Sequence, residues 1–130
     1  TDGRAILAVG SPFEAVMHKG HAHRFSQVNN FWIFPGLGAG AHLAQARCIS
    51  EGMLLAAARA VHAALRPDEL AAGLILPEPA RLREVATQVA AAVMVAAAQQ
   101  GLAGRALPAD AAQFVREWRY VPHYQRYVPA

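Results

Sequence analysis

Apolar residues change their spacing along this chain, and each change predicts an element. Ala5-Ile6-Leu7-Ala8-Val9 is a continuous apolar run closed by Gly10-Ser11-Pro12. A run without polar alternation reads as a parallel strand buried on both faces. Pro12 has no N–H to give a ladder, so the strand must stop before it. Residues 14–26 hold a Lys19-Gly20 turn signal and three histidines, His18, His21 and His23, and predict a loop or small hairpin. Phe31-Trp32-Ile33-Phe34 predicts a second strand.

From Leu37 the spacing becomes helical. The first helix is expected to reach about Cys48, with Leu43, Ala46 and Arg47 at helical intervals. Ser50 is a good N-cap for a second helix through about Leu65, with Glu51 in its first turn where the helix dipole favours an anion. Met53, Leu54, Ala57, Val61 and Ala64 or Leu65 form its apolar stripe. Pro67 opens a short helical turn over 68–72, ended by Gly73, and Leu74-Ile75-Leu76 is an extended bridge into Pro77 and Pro79. A long helix follows, about Ala80 to Gln100, closed by Gly101. Its core face is Leu82, Val85, Val89, Val93 and Ala96. A last helix, about Ala109 to Trp118, precedes an aromatic tail of Trp118, Tyr120, Tyr124 and Tyr127, which is expected to wrap its own domain or a neighbouring subunit.

Two short parallel-type strands and about four helices make a helix-rich α/β chain, half of a doubly wound, Rossmann-type domain. Two strands rarely stand alone as a sheet, so the remaining strands are expected upstream. The chain starts at Thr1, not Met, which also suggests a piece of a longer protein. The whole of 1–130 reads as one fragment, with the helical and aromatic tail from about residue 105.

Composition changes this picture little. A hydrophobic content of 55% against 16% charged suits a well-buried globular chain. The net charge of +3 is scattered, with no basic stripe of the kind nucleic acid needs, so no nucleic-acid partner is expected. The longest apolar run, Val89 to Ala98, is too short to span a membrane, which needs ~20 residues. One cysteine, Cys48, cannot form an internal disulfide; it reads as a core residue, and a reducing, cytoplasmic location is expected.

The candidate chemistry lies at strand ends. Asn29 and Asn30 are neutral amides that can each donate two N–H hydrogen bonds to a small carboxylate without burying a charge. The same pair could instead form a turn that satisfies its own backbone. Gly10 and Ser11 end the first strand, where ligands bind in open α/β sheets; Ser11 either donates to a ligand oxygen or only terminates the strand. Gly36-Leu37-Gly38-Ala39-Gly40-Ala41 has the spacing G-x-G-x-x-A but lacks the following strand that ends in an acid. It is therefore read as close helix packing rather than as a pyrophosphate cradle. The three histidines read as a solvated loop, and His42 and His62 as packing or surface groups.

Several stretches together resemble the malic enzymes, in the later part of their nucleotide-binding domain. They are Asp2-Gly3-Arg4 with the strand and Gly10-Ser11-Pro12-Phe13, the Gln27-x-Asn29-Asn30…Phe34-Pro35-Gly36-x-Gly38 run, Ser50-Glu51-Gly52-Met53, and Leu74 to Pro79 before the long helix. The chain departs from the family in the bulky Phe31-Trp32, where small residues often follow the Asn pair, and in Glu51, where the family has Asp. The resemblance implies that Asn29 contacts the carboxylate of L-malate, and that Asn30, with Ser11 and Gly10, serves the loop or the nicotinamide side of NAD or NADP. It implies a parent enzyme that converts malate to pyruvate and CO2. Its lysine base, tyrosine acid, glycine cradle and Mn2+ or Mg2+ ligands would lie upstream. No catalytic residue and no metal ligand is expected in this chain, which should be inactive alone. A homodimer or tetramer is expected. The alternatives are a malolactic enzyme, turning malate into lactate, and a non-catalytic helical oligomerisation module.

Overall fold

The computed structural model describes residues 2–124 and 127. Its strands are β1 (Ala8–Val9), β2 (Val16–His18), β3 (His21–His23) and β4 (Ser26–Gln27). Its helices are α1 (Phe34–Leu43), α2 (Glu51–Ala63), α3 (Pro67–Ala71), α4 (Leu82–Gln99) and α5 (Ala111–Trp118). Single 3-10 turns, Asn30–Trp32 and Pro79–Arg81, lead into α1 and α4.

The parallel pair exists, but its second strand lies earlier than expected. β1 pairs with β4, with Ala8 opposite Ser26 and Val9 opposite Gln27. Residues 31–34, expected as a strand, are instead a 3-10 turn running into α1. Local chemistry accounts for this. Asn29 caps the turn, its side chain accepting from the Phe31 N–H at 3.3 Å. Pro35 stands in the first turn of α1, where its missing N–H costs nothing. The Trp32 indole folds back to donate to the Gln27 carbonyl at 3.0 Å, which an extended chain could not do. The hairpin in 14–26 is present: β2 and β3 pair antiparallel around Lys19 and Gly20, both with positive φ, as a two-residue turn requires.

The helices form one packed block around α4. Val85, Val89, Val93 and Met94 are fully buried, as are Met53 and Ala57 of α2. Two glycines of α1 set the closest approach: a Cβ on Gly36 would stand 2.6 Å from Val89, and one on Gly40 would stand 2.5 Å from the Ala90 carbonyl oxygen. Gly38, on another side of α1, would meet nothing. The G-x-x-x-G spacing thus lets two helix backbones touch, at the expense of helix propensity.

Helix ends follow the sequence, with one difference. Ser50 caps α2 by accepting from the Met53 N–H, and its hydroxyl donates to Gln100 at 2.6 Å, joining the start of α2 to the end of α4. α1 stops at Leu43 rather than near Cys48, because Gln45 adopts a left-handed φ of 51°. Gly104 then packs against the Gln45 carbonyl and donates its N–H to Ala44 and Gln45. That contact comes from a segment distant in sequence, not from local pattern; Cys48, beyond the end of α1, is exposed rather than in the core. Leu54 of the expected α2 stripe is also exposed. Of the described tail aromatics, Trp118 and Tyr120 are more than half exposed but touch the helical block, with the His42 ring tilted against Trp118 and Arg83 donating to the Tyr120 carbonyl, while Tyr124 and Tyr127 are exposed. Among the described residues no helix is long and apolar enough to cross a membrane.

Candidate functional site

β1 and β4 run the same way, so the loops that follow them leave from the same end of the ladder. Gly10 and Ser11 follow β1; Asn29 and Asn30 follow β4. All four residues are exposed, and a Cβ on Gly10 would meet nothing within 4 Å, so space above this edge is open. The carboxyl-terminal edge of a parallel sheet is where open α/β folds place ligands.

The Asn29 amide is oriented by its cap. Its Oδ1 accepts from the Phe31 N–H, so its N–H groups are the free face. That is the arrangement a carboxylate needs, because a carboxylate accepts and never donates. The carboxamide takes the local-turn reading, and none of the described hydrogen bonds engages its N–H donors. Asn30 contributes its carbonyl to the Ile33 N–H at 2.9 Å and leaves its side chain exposed.

Backbone bonds brace this edge. The Val28 N–H donates to the Val9 carbonyl at 2.8 Å, and the Gln27 side chain donates to the Gly10 carbonyl at 3.3 Å. Ser26 is buried, and its Oγ accepts from the Ile75 and Leu76 N–H groups at 2.8 and 3.2 Å. Beyond the bridge, Glu69 is 2% exposed. Its carboxylate accepts from the Arg66 and Glu78 N–H groups and from the Arg81 guanidinium at 2.8 Å. Burial works against ionising Glu69, but those hydrogen bonds and the Arg81 charge prevail and hold its carboxyl below the usual range. Arg81 also donates to the Ala64 carbonyl and to Glu84. Arg24 and Glu78 pair across the bridge. Sequence reading missed Ser26, Glu69 and Arg81. The one signal was Arg66-Pro67-Asp68-Glu69, which has a proline at the helix start and Glu at the third helical position.

The other candidates take the plainer reading. Gly36 and Gly40 are pressed against α4, which leaves no room for a pyrophosphate there. His18 and His21 are exposed; His18 lies 3.6 Å from Asp2, which also takes Lys19 at 2.6 Å. His42 is exposed with its ring tilted against Trp118, and His62 is exposed on α2. Among the described residues no three His, Cys, Asp or Glu side chains come together as a metal site.

The family model described as "Malic enzyme, NAD binding domain" matches residues 1–98. The NADP-dependent malic enzyme of Dictyostelium discoideum is 36% identical over 126 residues, covering 97% of this chain and 23% of that protein. That of Populus trichocarpa is 39% identical over 128 residues, covering 98% of this chain and 22% of its own length. The mitochondrial NAD-dependent malic enzyme of Solanum tuberosum is 41% identical over 99 residues, 75% of this chain and 16% of that one. The chain therefore spans less than a quarter of the length of these relatives. With the parallel edge and its Asn pair in the matched region, the chain belongs to the malic enzyme family, as part of its NAD-binding domain.

Proposed function

We propose that this chain is the later part of the NAD(P)-binding domain of an enzyme that oxidises L-malate and decarboxylates the bound oxaloacetate to pyruvate and CO2. The observation that carries the reading is Asn29: an amide whose oxygen is engaged and whose donors face outward, at the open end of two parallel strands. It binds one carboxylate of malate and so fixes the carbon bearing the hydroxyl relative to the hydride acceptor. NAD+ or NADP+, when bound, supplies that acceptor. Gly10, Ser11 and Asn30 fit its nicotinamide side, since they share the edge and Gly10 leaves open space above it.

The lysine base and tyrosine acid of the family belong to another part of the enzyme, and the isolated chain is expected to show no turnover. Among the described residues no His, Cys, Asp or Glu cluster forms a divalent-metal site; Mn2+ or Mg2+ would be held by another part of the enzyme. The exposed aromatics of the tail fit a subunit contact within a homodimer or tetramer better than a contact within the chain. Family membership supports this enzyme reading over an isolated oligomerisation module.

The test is malate-dependent reduction of NAD+ and NADP+ by the full enzyme, with Mn2+ present and Asn29→Ala alongside. The expected result is a loss of roughly 100-fold in kcat/KM for malate, the scale of a misplaced substrate. Unchanged kinetics would remove Asn29 from the site. Lactate in place of pyruvate, with no net cofactor reduction, would identify a malolactic enzyme.

A further inference from the structure

We propose that Ser26 is a positioning residue for the substrate amide Asn29, acting through the register of β4 against the 74–76 bridge. The proposal rests on the reading of Asn29 as the malate ligand. Two residues, Gln27 and Val28, separate Ser26 from Asn29, and each is tied to a different part of the molecule. Ser26 Oγ accepts two N–H bonds from Ile75 and Leu76. The Gln27 carbonyl accepts the Trp32 indole N–H, and the Val28 N–H donates to Val9. Asn29 then caps the turn that starts α1.

These ties differ in where they lead. The Val28 bond joins the loop to β1, and the Trp32 bond joins it to its own turn. Among the hydrogen bonds described for residues 26–29, only those of Ser26 reach the 75–76 bridge. That bridge is itself fixed: Leu74 is buried, its N–H donates to the Glu69 carbonyl, and the Glu78 N–H donates to the Glu69 carboxylate. A two-residue strand with a two-residue partner has little register of its own. A hydroxyl that accepts two consecutive backbone N–H groups supplies that register, because sliding β4 by one residue would break both bonds at once. Ser26 is 2% exposed, so a ligand at the open edge cannot reach its side chain directly and it acts through Asn29.

The experiment is a double-mutant cycle in the full enzyme, reading KM for malate, KM for the dinucleotide and kcat. Ser26→Ala is expected to raise KM for malate about 10-fold and to change KM for the dinucleotide less than about 2-fold. In the Asn29→Ala background the same substitution is expected to change KM for malate by less than about 2-fold, because the group it positions is gone. Multiplying effects in the two backgrounds, or a lowered Tm with unchanged KM for malate, would overturn the proposal and leave the Asn29 reading standing. A harmless Asn29→Ala would overturn both. If Ser26→Ala does not fold, Ser26→Cys keeps the side-chain shape with a weak acceptor. Its KM for malate is expected to rise several-fold, and an unchanged value would overturn the proposal.

Discussion

The helical block and the strand layer differ in how far each is completed within this chain. Val85, Val89, Val93 and Met94 of α4 are fully buried, whereas Ile6, Leu7, Phe13 and Met17 of the strand layer are each more than half exposed. The block is held by packing: glycines of α1 bring it against α4, and Met53, Ala57 and Val61 of α2 join the same core. The strand layer is held by individual hydrogen bonds, accepted by Ser26 and donated by Val28 and Trp32. The candidate site lies on the second kind of structure. A ligand edge held by a few directional bonds can change its geometry without unfolding the core beneath it. Stability and substrate binding should therefore separate under mutation.

Glu69→Ala is expected to have a large effect on stability, because Glu69 joins the two regions. Its removal leaves the Arg66 and Glu78 N–H groups without their acceptor and Arg81 with Glu84 as its remaining carboxylate, at a cost of about 3 kcal/mol, readable as a shift in the urea midpoint. The pH dependence has a definite sign. The folded-state pKa of Glu69 is lowered. Its stabilisation is thus present above the unfolded value, about 4.3, and is lost as pH falls through the lower folded value. Glu69→Gln should flatten the loss of stability below about pH 4 relative to the parent; an equally steep acid limb in both would remove Glu69 as its source.

Within the helical block, Met94→Ala should cost about 2–5 kcal/mol through the cavity left behind. Met17→Ala, on the exposed hairpin, should stay within about 0.5 kcal/mol. Equal losses at the two methionines, measured by denaturant unfolding, would break the contrast between the regions.

The α1 glycines sharpen the same point at finer scale. Gly40→Ala puts a methyl 2.5 Å from a backbone oxygen of α4 and should destabilise by about 1–3 kcal/mol. Gly38→Ala, with open space around it, should stabilise by about 0.5–1 kcal/mol through helix propensity. Thermal melts of the two variants should move in opposite directions; matching downward shifts would mean that α1 does not pack as described.

Much of the fold was legible in local chemistry. Ser50, Pro67, Gly73 and Gly101 bound the helices where their caps and φ values require it. The α4 stripe follows from 3.6-residue spacing. The failures share one cause. Phe31 to Phe34 has the composition of a strand, but the Trp32 indole finds the Gln27 carbonyl, and Gly36 and Gly40 find α4. Neither partner is visible in an apolar run. Cys48, expected in the core, lies beyond the early end of α1, where Gly104 takes the Gln45 carbonyl. For the site, Asn29 was legible as an amide in a strand-end loop, whereas its orientation was not, since that depends on which of its two polar atoms the Phe31 N–H engages.

The sequence by itself determined the boundaries of α2 to α5, the parallel character of β1 and the residue types offered at the ligand edge. These depend on side-chain volume, capping and backbone freedom within a few positions. Only the tertiary structure decided which segment pairs with β1, which glycines are closed and which open, and that Ser26, Glu69 and Arg81 join the edge to the helices. Those outcomes depend on partners tens of residues away, and a buried hydroxyl or carboxylate acquires its role only when such partners arrive.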